Sequence, residues 1–110
     1  MQNKDHKTCV MGCKNKLNGK YNCLRESPIF RDGKVHLIDL ECHTDNPSLK
    51  PVAVECECGS GKLQRESNRL DLLEWKKKNP TGETFQISNS EELDVRRLIK
   101  QPVIRRRWRV

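Results

Sequence analysis

At 110 residues, with 34% hydrophobic and 34% charged, the chain has material for one small domain and no apolar run near the roughly 18 residues of a membrane span. Its net charge of +7 points to acidic partners, and the polar residues 1–8 lack the apolar stretch of a signal peptide. The expectation is an intracellular, cytoplasmic protein, or a nuclear one in a eukaryotic host, in a reducing setting where six cysteines read as metal ligands or thiols before disulfides, although an even count leaves bridges open.

Near the N-terminus, Cys9-Val-Met-Gly-Cys13 has the spacing that lets one turn present two thiolates to a single ion, with Gly12 easing the bend. Asn18-Gly19 is a hairpin signal. Folding residues 14–17 back on 20–23 would return Cys23 to Cys13.

Residues 35–42 alternate with period two, placing His36, Ile38, Leu40 and Cys42 on one face and Asp39 and Glu41 on the other. Residues 51–58 likewise set Val52, Val54, Cys56 and Cys58 against Ala53, Glu55 and Glu57. Turn formers in 43–49 fold one run onto the other, pairing 42 with 50, 40 with 52, 38 with 54 and 36 with 56. A slip of one residue would bury carboxylates, which specifies the register. Opposed Cβ atoms lie roughly 5 Å apart, close enough for His36 and Cys56 to share a tetrahedral cation with Cys58 beside them. Cys42 lies ~20 Å along the strand from His36, so Cys42 and His43 either serve another purpose or the chain does not pair in this way. The expected ligands of one structural zinc ion are therefore Cys9, Cys13, Cys56 and Cys58, with Cys23 and His36 competing for a place. Plain packing is the alternative, and for His36 the favoured one.

The run Cys56-Glu-Cys-Gly-Ser-Gly-Lys62 resembles the SEC-C motif, a small zinc module found at the end of a bacterial secretion ATPase and appended to other proteins. The resemblance implies that Cys56 and Cys58 ligate zinc ahead of a Gly-Ser-Gly turn. In that family a Cys-Cys or Cys-His pair follows about eight residues later, where this chain has Glu66, Ser67, Asn68 and Arg69, so the family's partner-binding role is not carried over. A phosphate-binding loop is excluded, because its first glycine would fall at Cys56 and Leu63 replaces the hydroxyl residue.

Residues 63–78 contain no Gly or Pro and predict a helix, with Leu63, Leu70, Leu73 and Lys77 on one stripe, Leu72 and Trp75 beside it, and Asn79-Pro80 as its stop. The three lysines 76–78 suit the negative helix end. A short strand is expected at 83–87. After it, Ser88-Asn89-Ser90-Glu91 reads as a capping box opening a helix over 90–101, with Val95, Leu98 and Ile99 as its apolar face. The tail, 102–110, interleaves Arg105, Arg106, Arg107 and Arg109 with Trp108. Guanidinium groups grip phosphates in bidentate fashion and an indole stacks on an unpaired base. An edge strand with solvated arginines is the plain alternative.

The fold class implied is α+β: a zinc-tied β-ribbon (35–42 and 51–58) with two helices (63–78 and 90–101). The expected layout is a single domain over 1–101, a cysteine-rich ribbon at 1–60 and a helical part at 62–101, followed by the basic tail 102–110. The functional expectation is a non-catalytic, zinc-stabilised regulatory protein that binds RNA or DNA, preferring single-stranded regions, through Arg96, Arg97, Arg105, Arg106, Arg107, Trp108 and Arg109. The alternative is an adaptor or inhibitor that sets the same basic groups against an acidic protein, with the Glu55 and Glu57 face as a separate surface.

Overall fold

A computed structural model describes residues 4–100 of the chain. In chain order they form α1 (Lys4–Leu17), β1 (Asn22–Arg31), β2 (Lys34–His43), β3 (Val52–Cys56), α2 (Lys62–Lys78) and β4 (Glu83–Ile87), then two 3-10 turns, Ser90–Glu92 and Val95–Leu98. Two α-helices and one mixed four-stranded sheet make this the α+β fold that the sequence implies.

The sheet runs β1-β2-β3-β4, antiparallel except for the parallel pair β3–β4. Parallel neighbours need a long crossover, and α2 supplies it. That crossover lays α2 on one face of the sheet, while α1 and the 3-10 turns cover the other. Val10, Cys13 and Leu17 of α1 pack with Leu40, Cys42, Val52, Val54, Leu93 and Leu98. Leu72 and Trp75 of α2 pack with Ile29, Ile38 and Ala53. All five residues of β3 are buried, as expected of a strand covered on both sides.

Several expectations are corrected here. Residues 4–17 are one helix, not a turn followed by a strand, so Cys9 and Cys13 stand four residues apart on one helical face. Gly12 does not bend the chain; it admits Ser90, whose Cβ lies 2.7 Å from where a Cβ on Gly12 would sit. Gly19, at φ 90°, ends α1 instead of closing a hairpin, with the Tyr21 amide donating to the Leu17 carbonyl at 3.0 Å.

The β2–β3 register is Leu40 with Val54, Glu41 with Ala53 and Cys42 with Val52. It differs by two residues from the expected pairing, so side-chain faces are kept while every partner changes. Ile38 and Leu40, expected on one face, belong to different layers. Between the pairs Arg25–Leu40 and Ser27–Ile38 the chain passes through Glu26 at φ 53°, and the ribbon turns over at that point. Ala53 and Glu55 are not on a solvent face, because α2 covers them.

The extent of α2 matches the expectation, yet its inward stripe is Asn68, Asp71, Leu72 and Trp75, and Leu63 and Leu73 are exposed. Two polar residues face inward because each has a partner: Asn68 donates to Glu57 Oε2 at 3.0 Å, and Arg31 Nε donates to Asp71 Oδ1 at 2.6 Å. The segment expected as a helix over 90–101 makes only the two 3-10 turns as far as it is described. The capping box exists but is formed by Asn89 and Glu92. Asp94 caps the second turn, and Leu93 and Leu98 are buried while Val95 and Ile99 are exposed. The chain then runs extended, with the Lys100 amide on the Ser48 carbonyl and the Lys50 amide on the Leu98 carbonyl, both at 2.8 Å. Among the described residues no helix is long and apolar enough to cross a membrane.

Candidate metal centres

α1 and β3 bring three sulfurs together. The Sγ atoms of Cys9, Cys13 and Cys56 all lie within 4.8 Å of one another, and all three residues are buried. Three thiols at that separation could hold a metal ion. Cys9 and Cys56, with Cα atoms 6.1 Å apart, are joined as a disulfide, while Cys13 keeps its thiol. Burial pushes the Cys13 thiol up to about 11 against the pull of Lys16, so it stays protonated and unreactive in this state.

The other expected ligands fall elsewhere. Cys58 lies outside the group, its Sγ donating to the Ser88 carbonyl at 2.8 Å. Cys23 does not return to Cys13; it sits opposite Cys42 on the neighbouring strand and forms the second disulfide, Cα atoms 4.0 Å apart. His36 pairs with Ile29, not with Cys56, and its Nδ1 is 3.6 Å from Asp71 Oδ1 in the α2 layer. It is not a sulfur-site ligand. Bridges, left open by the even count, are thus what four of the six cysteines form.

A second group was missed by treating Asp39, Glu55 and Glu57 as a solvated face. The β2–β3 ladder ends at Leu40–Val54, and beyond it side chains replace backbone partners. The Asp39 amide donates to Glu55 Oε1 at 2.7 Å, and the Cys56 amide donates to Asp39 Oδ2 at 2.8 Å. The same Asp39 oxygen is 3.0 Å from His6 Nε2 on α1, and His6 Nδ1 is buried without a hydrogen-bond partner. Glu55 is 2% exposed, so its charged form loses hydration; with Asp39, Asp71 and Glu57 nearby, burial and like charge push its pKa up to about 9. Glu57 is oriented by Asn68 and Gln86.

A carboxyl kept neutral at the end of a central strand, beside a second carboxyl that is one-fifth exposed, is an arrangement a hard cation would relieve. The ion would cancel the mutual repulsion and take the place of lost water. Among the described residues only the cysteine trio brings three donor atoms of His, Cys, Asp or Glu within 4.8 Å of one another; Asp39 and Glu55 are a carboxyl pair without a third such donor. The signal lay in Val52-Ala-Val-Glu-Cys56, where Ala53 interrupts the polar alternation of a half-exposed strand, with a helix beginning six residues on at Lys62.

The basic residues expected to touch nucleic acid fall into two groups. Arg96 is paired with Asp94, and Arg97 lies 4.6 Å over the Phe85 ring with its Nη2 2.5 Å from Glu83 Oε1. Burial alone would raise the Glu83 carboxyl, but Arg97 and Lys50 outweigh it and hold Glu83 below the usual range. Arg105, Arg106, Arg107, Trp108 and Arg109 lie outside the described residues. No family model matches this chain, and no curated protein or solved structure with which it was compared matches it either.

Proposed function

We propose that this chain acts on nucleic acid as a divalent-cation-dependent phosphodiester hydrolase, with Asp39 and Glu55 as the cation ligands and Glu57 and His6 beside them. The observation that carries this reading is geometric: where β2 and β3 part, Glu55 is 2% exposed with Oε1 accepting from the Asp39 amide, and the Asp39 carboxylate, one-fifth exposed, is held by the Cys56 amide and His6. Composition alone favours a non-catalytic binder; this carboxylate pair moves the reading to catalysis.

The net charge of +7 favours a polyanionic substrate. A hard cation bound here supplies an acidified water and polarises a phosphoryl oxygen. Glu55 would ligate such a cation as its carboxylate, its proton passing to solvent, and its buried position would keep competing water away. The Cys56 amide and His6 both hold Asp39 through Oδ2, which leaves Oδ1 as the oxygen a cation would use. His6 Nε2, 3.0 Å from Asp39 Oδ2, orients that carboxylate. The tail arginines and Trp108 would supply phosphate grip and stacking, as the sequence implies. Zinc belongs to the softer trio of Cys9, Cys13 and Cys56 once reduced. For the adaptor alternative, Glu55 is buried while Glu57 is partly exposed, and the basic groups it would set against an acidic partner are unaffected.

The test is incubation of the full chain with single-stranded and duplex DNA and RNA in magnesium or manganese, with chelator controls. Cation-dependent cleavage is expected, abolished by Asp39→Asn and by Glu55→Gln while binding in chelator persists. Binding without cleavage under any cation would overturn the catalytic reading and leave a nucleic-acid binder.

A further inference from the structure

The sulfur group at the α1–β3 contact does something its oxidised form conceals. We propose that Cys9, Cys13 and Cys56 are a redox-gated site for a thiophilic cation, closed by the Cys9–Cys56 disulfide and opened when that bond is reduced. The inference stands apart from the carboxylate reading, since it uses other atoms and another class of ion.

The geometry is already near what such an ion needs. Tetrahedral zinc with Zn–S bonds of about 2.3 Å holds its sulfurs about 3.8 Å apart. The three Sγ atoms lie within 4.8 Å of each other, so each moves by an ångström or less to bind. Cys9 and Cys13 are one turn apart on α1, and Cys56 ends β3, a strand hydrogen-bonded to β4 on its far side through Cys56–Ile87. Rigid elements therefore fix all three donors. Cys58 is held by Ser88 and is outside the group, so the described cysteines supply three sulfurs and no fourth. A cleft lined by Asp5, Thr8, Cys9, Glu57, Cys58 and Ser88 reaches the group at Cys9.

The chemistry balances in two steps. A dithiol reductant gives two electrons and two protons to the Cys9–Cys56 bond, which breaks into two thiols while the reductant closes to its own disulfide. The three protein thiols then release three protons as three sulfur–metal bonds form, leaving a complex of charge −1 around a divalent ion with an exchangeable fourth position. Oxidation reverses the order, expelling the ion as the disulfide re-forms.

The test titrates cobalt(II), a coloured stand-in for zinc, into full-length protein, either as oxidised or after reduction by a phosphine and removal of the reductant under argon. Reduced protein should show a thiolate-to-cobalt charge-transfer band saturating at one equivalent and bleached by zinc, and oxidised protein none. Alkylation of the zinc-loaded protein, mapped by mass spectrometry, should find Cys9, Cys13 and Cys56 labelled about tenfold more slowly than in the reduced, zinc-free protein, and Cys58 unchanged. Cys13→Ser should lose the band; because that buried variant can fail to fold, the alkylation map of the wild-type chain decides alone if it does. Asp39→Asn should keep the band, whatever it does to cleavage. The proposal is overturned by a folded, reduced protein that takes up no cobalt, by equal uptake in the oxidised protein, or by protection that omits Cys13.

Discussion

The Asp39 backbone N–H donates to Glu55 Oε1 at 2.7 Å, tying the first residue beyond the β2–β3 ladder to the only carboxyl group inside β3. The bond does not rescue Glu55 from burial, and its pKa rises to about 9.

That shift sets a pH dependence of stability in the cation-free protein. Between the unfolded value near 4.5 and the folded value near 9, the native state keeps a proton that the unfolded chain has lost, so stability falls as pH rises through this window. Glu55→Gln should flatten the slope, giving a higher melting temperature than wild type at about pH 8.5 and little difference at about pH 5. Thermal melts across that range decide it, and a wild-type slope retained in the variant would remove Glu55 as the cause.

Trp75 and Gly82 form a second dependency. A Cβ on Gly82 would lie 2.7 Å from Trp75 Cζ3, and the indole Nε1 donates to Glu41 Oε2 at 2.5 Å. Burial works to raise the Glu41 carboxyl, but hydrogen bonds from Ser27, Trp75 and His43 outweigh it and hold Glu41 below the usual range. Gly82→Ala should cost about 1–3 kcal/mol by forcing the ring aside, and Trp75→Phe a further loss of about 1–3 kcal/mol from the stranded carboxylate. Urea titrations of the two variants measure both.

Gly12→Ala offers a test of sign. Alanine in a helix interior ordinarily stabilises by about 1 kcal/mol, but here the new methyl meets Ser90. The substitution should destabilise, and adding Ser90→Gly should restore stability above wild type. A stabilised single variant would mean that α1 and the first 3-10 turn are not in contact.

The Cys23–Cys42 bridge joins directly opposed residues of β1 and β2, closing a loop with a sequence separation of 19. Replacing both by serine should lower unfolding free energy by about 2–4 kcal/mol without disturbing cobalt uptake at the other sulfurs. Denaturant unfolding alongside the cobalt titration separates these effects.

What could be read from the chain was set by patterns that survive small errors. The bounds of α2 and β4 follow from Asn79-Pro80 and from a short β-prone run, and both are local. Side-chain parity in the paired stretch 40–42 and 52–54 survived a two-residue error in register because strands repeat every two residues, but it failed beyond it, where Ile38 lies in the other layer. The buried stripe of α2 was misplaced because leucines mark apolar periodicity, whereas Asn68 and Asp71 are inside for the sake of distant partners, Glu57 and Arg31. The same blindness hid the carboxylate pair. Whether Glu55 is bathed or buried depends on a crossover helix arriving on that face, which no window around residue 55 encodes. The spacing of Cys9 and Cys13 suits both a metal-binding turn and one helical turn; the sequence grouped them with Cys56 and Cys58, and the structure brings Cys56 to them from the strand but not Cys58.

Glu55 and Cys56 are sequence neighbours whose side chains leave the central strand toward opposite layers. One peptide unit thus separates an oxygen donor of low polarizability from a sulfur donor of high polarizability, with the sheet as the partition.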